Sequence, residues 1–268
     1  MTAQTRSEIV DLLARHGLAP IHRLGQHFLA DANVTRKIVR LSGVGPGSRA
    51  VEVGAGTGTL TKALAGAGSR VVAYEIDSGL LPVLEEVTAG LDVEIRSGDV
   101  TDVDFATALD GDGWAMVANL PYNVGTPVVL EAIQKSPNID RYVVMLQSEV
   151  ARRFVARPGD DDYGLPSVIA GLYTDAGIAF HVPPQVFYPQ PRVGSSVLVM
   201  TRKETPPRAS SAVELARAGF GHRRKMLRKS LSGVLDSPVR ALSAAGIEET
   251  ARAEELTLDD WLRLADSL

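Results

Sequence analysis

The sequence contains no cysteine and only five histidines in 268 residues. Without cysteine the chain cannot form disulfides, thiolate zinc sites, iron–sulfur clusters or a cysteine nucleophile. The histidines are scattered and lack the close histidine–carboxylate spacing of a metal site, so we expect no metal. Any cofactor must therefore be held by hydrogen bonds and packing.

Long apolar runs are also missing. No stretch of about eighteen uncharged apolar residues occurs, and Arg6 and Glu8 interrupt the pattern of a signal peptide at the N-terminus. We therefore expect a soluble, cytoplasmic protein without membrane contact, and a monomer, because nothing indicates an obligate dimer. The formal net charge of −4 argues against a protein coated in positive charge. A nucleic acid, however, responds to local potential and not to the sum.

Short apolar runs rich in β-branched residues alternate with helical patterns between residues 49 and 147. This spacing is typical of βαβ units in a parallel sheet that is covered by helices on both faces. Two further candidate strands, at 177–182 and 195–201, would bring the total to seven, as in a methyltransferase sheet. The predicted strands of the first group are Arg49–Val53, Arg70–Glu75, Asp92–Arg96, Trp114–Asn119 and Arg141–Gln147.

Composition divides the chain into three parts. Residues 1–45 form a predicted helical, mildly basic arm that ends at a cluster of glycine and proline. Residues 46–204 contain the predicted Rossmann-like α/β sheet. After Thr205-Pro206-Pro207 the sequence is rich in Ala, Leu, Arg and Glu at helical spacing, which predicts a small all-helical domain over 205–268.

A glycine-rich turn, Gly54-Ala55-Gly56-Thr57-Gly58, follows the first predicted strand. Glycines are needed there because the backbone must bend sharply and approach a ligand without a Cβ in the way. A dinucleotide fingerprint would require glycine at position 59, where the chain has Thr59. Gly-x-Gly-x-Gly is instead typical of methyltransferases. Taken alone, the motif fits a turn of some other α/β protein about equally well.

Two carboxylates follow the next strands. Glu75 ends the second strand, 21 residues after Gly54, where it could accept hydrogen bonds from both ribose hydroxyls of a nucleoside. Asp99 lies just past the third strand and could accept from an adenine amino group, although a helix cap explains it equally well. Together with the glycine turn, these residues predict an adenosyl pocket at the carboxyl edge of the sheet.

Asn119-Leu120-Pro121-Tyr122 follows the fourth strand and so lies at the same edge. The lone pair of an adenine N6 is delocalised into the ring, and two acceptors for its N–H groups would favour the tetrahedral geometry that attack on a methyl sulfonium requires. The Asn119 side-chain oxygen and the Leu120 carbonyl can accept, and Tyr122 offers a face for the base. An ordinary turn after a strand is the alternative.

A second wall for the base is expected in the proline-rich segment 183–191. Phe187 lies among these prolines, which favour a surface loop over a strand. We therefore expect Phe187 on a loop that faces the base, and a core position is the alternative.

These motifs resemble the ribosomal RNA adenine dimethyltransferases, and most closely the bacterial small-subunit group whose loss gives kasugamycin resistance. The resemblance spreads from residue 25 to residue 231. It rests on Gly25–Leu29, Val51–Gly58, Glu75–Asp77, Gly98-Asp99, Asn119–Asn123, Val186–Val193 and Arg223–Lys225.

The resemblance implies S-adenosylmethionine as methyl donor. It also implies N6,N6-dimethylation of two adjacent adenosines in the loop of the 3′-terminal hairpin of 16S rRNA. The substrate would be a partly assembled 30S subunit, with a role in ribosome biogenesis. Tyr122 and Phe187 would bracket the target base. The implied cofactor contacts are His27, Leu29, Gly54, Glu75, Asp99 and Asn119. Position 27 departs from the family, since many members have asparagine there.

Five fixed positive charges lie within Gly221–Ser230 of an otherwise acidic protein. Such runs are usually solvated helix faces. Phe220, Leu227 and Leu231 would anchor a helix whose arginines point outward, so we expect RNA phosphate contact. The RNA-binding candidates are Arg223, Arg224, Lys225 and Arg228.

Three other functions stay open from the sequence. A macrolide-resistance type 23S rRNA methylase shares the glycine turn and a similar tetrapeptide. A non-catalytic assembly factor could keep the fold and bind RNA without chemistry. A nicotinamide-dependent dehydrogenase is disfavoured by Thr59 and by the absence of a candidate proton relay.

Overall fold

The computed structural model describes residues 3–121, 125–222 and 225–268. The chain forms two compact units. The first comprises Met1–Ala151 and Gly177–Thr201, and the second comprises Arg152–Ala176 and Arg202–Leu268. The segment 152–176 therefore clusters with the C-terminal helices, although it precedes the last two strands in sequence.

A seven-stranded sheet forms the centre of the first unit in the described part of the chain, in the order β4-β3-β2-β5-β6-β9-β7. The pairs from β4 to β6 are parallel and β9 is antiparallel to β6. The predicted mostly parallel α/β fold is thus confirmed. The strands are β2 (Arg49–Val53), β3 (Arg70–Glu75), β4 (Val93–Ser97), β5 (Trp114–Asn119), β6 (Ile139–Gln147), β7 (Thr174–Val182) and β9 (Ser195–Arg202).

The central strands are buried along nearly their whole length. Every residue of β3 after Arg70 is buried, and Trp114 at the start of β5 is 1 % exposed. Continuous apolar runs of this kind are expected of strands that are covered on both faces. The strands β3 and β5 end where these apolar runs end, at Glu75 and Asn119. Because the two strands run parallel, both residues lie at the carboxyl edge of the sheet.

Helices of the first unit connect these strands and have well-defined ends. α2 begins after Asp31, whose side chain accepts from the backbone N–H groups of Asn33 and Val34, and it ends before Gly43 with a φ of 71°. A capping side chain and a left-handed glycine are the usual signals of helix ends. The helices of this unit are α1 (Arg6–Arg15), α2 (Ala32–Ser42), α3 (Thr59–Ala65), α4 (Leu81–Thr88), α5 (Phe105–Ala108) and α6 (Gly125–Lys135). Helix α7 (Ser148–Val155) begins in the first unit and ends in residues assigned to the second.

A small antiparallel ladder joins distant parts of the first unit. β1 (Phe28–Leu29) pairs with β8 (Phe187–Tyr188), so that Leu29 lies opposite Phe187. Two-residue strands are too short to show a periodicity, so no sequence pattern indicates them. The ladder attaches the N-terminal arm to the proline-rich segment.

The second unit is helical and packs around an aromatic cluster. The Phe220 ring lies 5.7 Å from the Tyr163 ring and 6.1 Å from that of Trp261. The Tyr163 hydroxyl donates to the Leu256 carbonyl at 2.8 Å, and burial raises the pKa of Tyr163 to about 12. The helices are α8 (Leu165–Tyr173), α9 (Ala209–Gly221), α10 (Leu227–Ser230), α11 (Pro238–Ala244) and α12 (Leu258–Asp266).

Replacement of Gly219 by alanine tests the packing of this unit. A Cβ there would lie 2.9 Å from the Trp261 ring and 3.2 Å from the Ala253 Cβ. We expect a loss of about 1–3 kcal/mol of stability from overpacking, measured as a lower midpoint of urea unfolding by circular dichroism. Gly221→Ala is the matched control, because nothing lies within 4 Å of a Cβ at that position. Equal midpoints for the two variants would contradict the packing.

Candidate active site

Three glycines of the turn between β2 and α3 have positive φ: 73° at Gly54, 59° at Gly56 and 79° at Gly58. Residues with a Cβ are strained in this region. Space is short as well, because a Cβ on Gly54 would lie 3.4 Å from the Pro121 ring and one on Gly56 would lie 3.0 Å from the Phe28 ring. The turn therefore lies directly against the loop after β5, so that the two predicted motifs form one site.

Glu75 lines a cavity of this site together with Gly54, Gly56 and Asn119. Its Oε2 accepts from the Gly56 backbone N–H at 2.7 Å, and its Oε1 accepts from that of Asp77 at 2.9 Å. Burial raises the pKa of Glu75, and the two backbone hydrogen bonds oppose this rise. Each carboxylate oxygen has a further lone pair, so the group is oriented by the protein and can still accept from a ligand.

Asn119 is held by its amide nitrogen. Nδ2 donates to the His27 carbonyl at 2.9 Å, which leaves Oδ1 as the group for a ligand. The next residue, Leu120, is 2 % exposed, and its N–H donates to the Met145 carbonyl of β6 at 3.2 Å. Both predicted acceptors thus belong to a segment that neighbouring strands hold in place.

The segment around His27 links the N-terminal arm to two loops. The His27 Nδ1 donates to the Pro189 carbonyl at 2.7 Å, because a carbonyl can only accept. Gln26 donates to the Asp77 carboxylate at 2.7 Å and accepts from the Ile21 N–H at 2.7 Å. The arm is therefore attached both to the loop after β3 and to the proline-rich segment.

Asp99 both caps a turn and lines a cavity. Its Oδ1 accepts from the backbone N–H and the hydroxyl of Thr101, at 2.9 and 2.7 Å. It also lines a cavity that shares Gly54, Ile76 and Pro121 with the cavity beside Glu75. The capping alternative is correct, and so is the predicted position at the pocket edge. The Asp99 Oδ2 remains available to a ligand.

Leu29 and Phe187 are two predicted site residues that lie in the core of the sheet. Leu29 is 3 % exposed and Phe187 is 1 % exposed, and both belong to the core of the sheet. The expectation of a surface loop at Phe187 is wrong, because pairing with β1 draws the residue into a strand between the flanking prolines. Its side chain packs into the core in this structure.

Glu52 is a site residue that the sequence motifs did not reveal. It is 2 % exposed, and its Oε2 accepts no hydrogen bond from any residue that the structure describes. It lines a cavity of about 30 Å³ together with Gly56, Asn119 and their neighbours. Burial raises the pKa of Glu52 to about 8, and the nearby Glu75 carboxylate adds to this rise. The sequence did contain a signal for this residue, because Glu52 is a charged residue between two valines of a predicted buried strand.

Gln4 is a second residue that was missed. It is 9 % exposed, its amide donates to the Thr57 carbonyl at 2.8 Å, and it accepts from the Thr57 and Thr59 hydroxyls. A single glutamine near the start of a chain carries no sequence signal. Its contacts connect the residues that precede α1 to the glycine turn.

The Ribosomal RNA adenine dimethylase family model matches residues 21–268. The chain belongs to this family. The resemblance inferred from the motifs is confirmed, and the chain is a methyltransferase. A nicotinamide-dependent dehydrogenase is thereby excluded.

Curated relatives of this chain match over nearly their whole length. A protein of Xanthobacter autotrophicus named Ribosomal RNA small subunit methyltransferase A is 45 % identical, covering 96 % of this chain and 92 % of the relative. A protein of the same name from Phenylobacterium zucineum is 40 % identical, covering 100 % and 94 %.

Solved structures show the same fold. A dimethyladenosine transferase from Plasmodium falciparum superposes with a TM-score of 0.74 at 23 % identity, covering 89 % of this chain and 96 % of that one. The 23S rRNA methyltransferase ErmE superposes with a TM-score of 0.67 at 25 % identity, covering 90 % and 99 %.

Only part of the predicted RNA-binding segment lies within the described residues, since Arg223 and Arg224 are outside them, as is Tyr122 of the tetrapeptide. Lys225 is exposed and lies between α9 and α10. The expected continuous basic helix is therefore wrong at this position, because α9 ends at Gly221.

Two of the three predicted apolar anchors are buried as expected, with Leu227 and Leu231 both 0 % exposed, whereas Phe220 is half-buried. Arg228 is half-exposed, and its guanidinium lies 3.5 Å from the Glu249 carboxylate. Exposed ion pairs of this kind are weak, so Arg228 could leave Glu249 and bind a phosphate instead.

Neither a metal centre nor a membrane span occurs among the described residues. Within residues 3–121, 125–222 and 225–268, no group of three or more His, Asp or Glu side chains lies together as metal ligands would. In the same ranges no helix combines the length and apolar character needed to cross a membrane.

Glu52→Gln should change how stability depends on pH. The Glu52 pKa is raised, so between about pH 4.5 and 8 the folded protein keeps a proton that the unfolded chain releases. Stability supplied by the neutral form is therefore lost as pH rises through this window. We expect the stability of the variant, measured by urea unfolding, to decline less than that of the wild type from about pH 5 to 8.

Glu85→Gln is the control, because Glu85 is an exposed glutamate of the same unit. If the plots of stability against pH ran parallel for Glu52→Gln and the wild type, the raised pKa of the buried Glu52 carboxyl group would be contradicted.

Proposed function

We propose that this chain transfers methyl groups from S-adenosylmethionine to N6 of two adjacent adenosines in the loop of the 3′-terminal hairpin of 16S rRNA. The observation that carries the proposal is the position of Asn119. Its oriented Oδ1 lies at the carboxyl edge of the sheet, beside a glycine turn so close to Pro121 that a Cβ on Gly54 would lie 3.4 Å from the proline ring.

The residues of the site fit the proposed cofactor. The orphaned Oε2 of Glu52 and the lone pairs of Glu75 are acceptors in a buried pocket, which suits a cation with hydroxyl and amino groups. In the proposal Glu75 accepts from the ribose hydroxyls, Asp99 accepts from the adenine amino group, and Gly54 gives the ligand close access to the backbone. His27, Leu29 and Asn119 complete the cofactor contacts.

The bound cofactor supplies an electrophilic methyl group, and the chain orients the amine. The Asn119 Oδ1 and the Leu120 carbonyl accept the two N–H groups of N6, which favours the geometry in which the nitrogen lone pair is free. No strong base is needed, since the N6 proton becomes acidic only as the new N–C bond forms and the bond from the methyl group to the cofactor sulfur breaks. That proton is then released to water. The proposal assigns stacking on the base first to Tyr122. Phe187 could share it only if β8 opened, because Phe187 is buried.

The substrate assignment rests on the relatives. Those at 40–45 % identity are named for the small ribosomal subunit, and this favours 16S over 23S rRNA. Membership of a methyltransferase family also argues against the hypothesis that the chain is a non-catalytic assembly factor. In the proposal the enzyme acts as a monomer in the cytoplasm on a partly assembled 30S subunit and takes part in its biogenesis. The helical region 205–268 binds RNA through Arg223, Arg224, Lys225 and Arg228.

Asn119→Ala tests the proposed chemistry. Loss of one preorganised hydrogen-bonding group at a reacting centre costs about 10²–10³ in kcat. We expect that loss when 30S particles from a strain lacking the enzyme are incubated with the variant and S-adenosylmethionine. Mass spectrometry of the 3′-terminal rRNA fragment gives the rate and the number of methyl groups.

Two controls sharpen this experiment. Asn33→Ala removes an exposed asparagine of α2 and should leave the rate unchanged. Parallel incubation with 50S particles separates the two rRNA substrates. A wild-type rate for Asn119→Ala would overturn the acceptor role, and methylation of 50S in place of 30S particles would overturn the 16S assignment.

Removal of charge at Arg223, Arg224 and Lys225 tests the RNA-binding segment. Alanine at all three positions should weaken binding to pre-30S particles. It should also lower the slope of log affinity against log salt by roughly 0.7–0.9 for each phosphate that is no longer neutralised. Binding is measured by sedimentation across a salt series. An unchanged slope would show that these cations do not bind phosphate.

A further inference from the structure

A second, larger cleft lies beside the cofactor pocket in the first unit. Its volume is about 650 Å³, and its two walls are the segment 20–27 of the arm and the segment 189–193 after β8, with Gln147 at one end. The cleft shares Gly25, Gln26 and His27 with the cavity beside Glu75. The two spaces are therefore neighbours that share part of their lining.

The cleft is positively charged. Its lining contains His22, Arg23, His27 and Arg192 but no carboxylate. His22, Arg23 and Arg192 are exposed. In the described part of the chain, neither Arg23 nor Arg192 makes an ion pair, whereas Arg15 and other surface arginines do. Unpaired guanidinium groups on both walls of one cleft in an acidic protein favour an anionic ligand.

The walls are held in place by contacts of their own. The hydrogen bond from His27 to the Pro189 carbonyl at 2.7 Å joins the two walls of the cleft. Gln26 is fixed by Ile21 and Asp77, and Pro191 is buried. The cleft is thus a preorganised site and not a gap between loose loops.

The cleft is adjacent to the proposed reacting centre, because one hydrogen bond connects Asn119 to a residue that lines the cleft. The His27 carbonyl accepts from the Asn119 Nδ2 at 2.9 Å, and His27 is also one of the residues that line the cleft. A ligand in the cleft would therefore adjoin a base whose amino group is held by Asn119. In a polynucleotide, that neighbour is the next nucleotide.

We propose that this cleft is an RNA subsite that holds the nucleotide adjacent to the target adenosine, with a flanking phosphate bound by Arg23 and Arg192. The inference rests on the proposed function. One guanidinium group can bind two oxygens of a phosphate at the same time. The proline rings and glutamine amides of the cleft can contact a nucleotide base without selecting for one particular base. The volume lies within the range of about 300–1,000 Å³ that is usual for small-ligand sites.

The double variant Arg23→Gln/Arg192→Gln tests the subsite in the full-length enzyme. We expect KM for 30S particles to rise about tenfold or more with kcat nearly unchanged, since the variant removes charge-assisted hydrogen bonds and tenfold corresponds to only about 1.4 kcal/mol. The dependence of kcat/KM on salt should flatten. The affinity for S-adenosylmethionine, measured by calorimetry, should not change, because neither arginine lines the cofactor cavities.

Lys62→Gln is the matched control, since Lys62 is an exposed cation of α3 in the same unit and makes no ion pair among the described residues. An equal rise in KM for Lys62→Gln would assign the effect to overall charge and overturn the subsite. Wild-type KM and salt dependence in the double variant would overturn it as well. Failure of the proposed function is distinguishable, because the wild type would then leave 30S particles unmethylated.

A cross-linking experiment identifies the occupant. Val193 lies on the wall of the cleft and is 48 % exposed, so a photoreactive phenylalanine analogue there should form cross-links to 16S rRNA next to the target adenosines. Cross-links to a ribosomal protein, or none to RNA, would show that the cleft does not hold the substrate strand.

Discussion

The hydrogen bond from Asn119 to the His27 carbonyl joins the segments on which the site depends. Asn119 ends a central strand, whereas His27 lies 92 residues earlier, in the N-terminal arm. Since His27 also donates to Pro189, three distant segments meet at one residue. The contact serves two purposes: it orients the amide oxygen of Asn119, and it positions the arm beside the pocket. The donor is the Asn119 side chain and the acceptor is the backbone carbonyl of residue 27. This hydrogen bond can therefore form whichever side chain is present at position 27.

Electrostatics of the pocket follow from two carboxyl groups on adjacent strands. Glu52 and Glu75 are both nearly buried, and burial disfavours ionisation of each. A ligand with positive charge would offset this cost, whereas a phosphate-bearing dinucleotide would add to it. The same glycine turn can serve both ligand classes in different proteins. The buried carboxyl groups therefore add to the glycine spacing in favouring a cationic ligand. They also distinguish the pocket from the neighbouring cleft, which is lined by two arginines and no carboxylate.

The sheet was predictable because its strands are buried on both faces, and a continuous β-branched run such as Arg70–Glu75 fits few structures besides a central strand. The pocket residues were predictable for a related reason, since strand ends such as Glu75 and Asn119 must meet at one edge. The β1–β8 ladder was not, because pairing of two-residue strands depends on tertiary contact alone. Phe187 was misplaced for that reason: flanking prolines describe local backbone and say nothing about a partner 158 positions earlier. Glu52 was not predicted, because its significance depends on burial and not on a motif.

Each compact unit contains one of the two tryptophans of the chain. Trp114 is 1 % exposed in the sheet, and Trp261 is 0 % exposed among the helices of the second unit. The intrinsic fluorescence of the protein is therefore the sum of two buried indoles with separate surroundings. Removal of one leaves an optical reporter for the other unit, so the order in which sheet and helical unit lose structure can be followed without any attached dye.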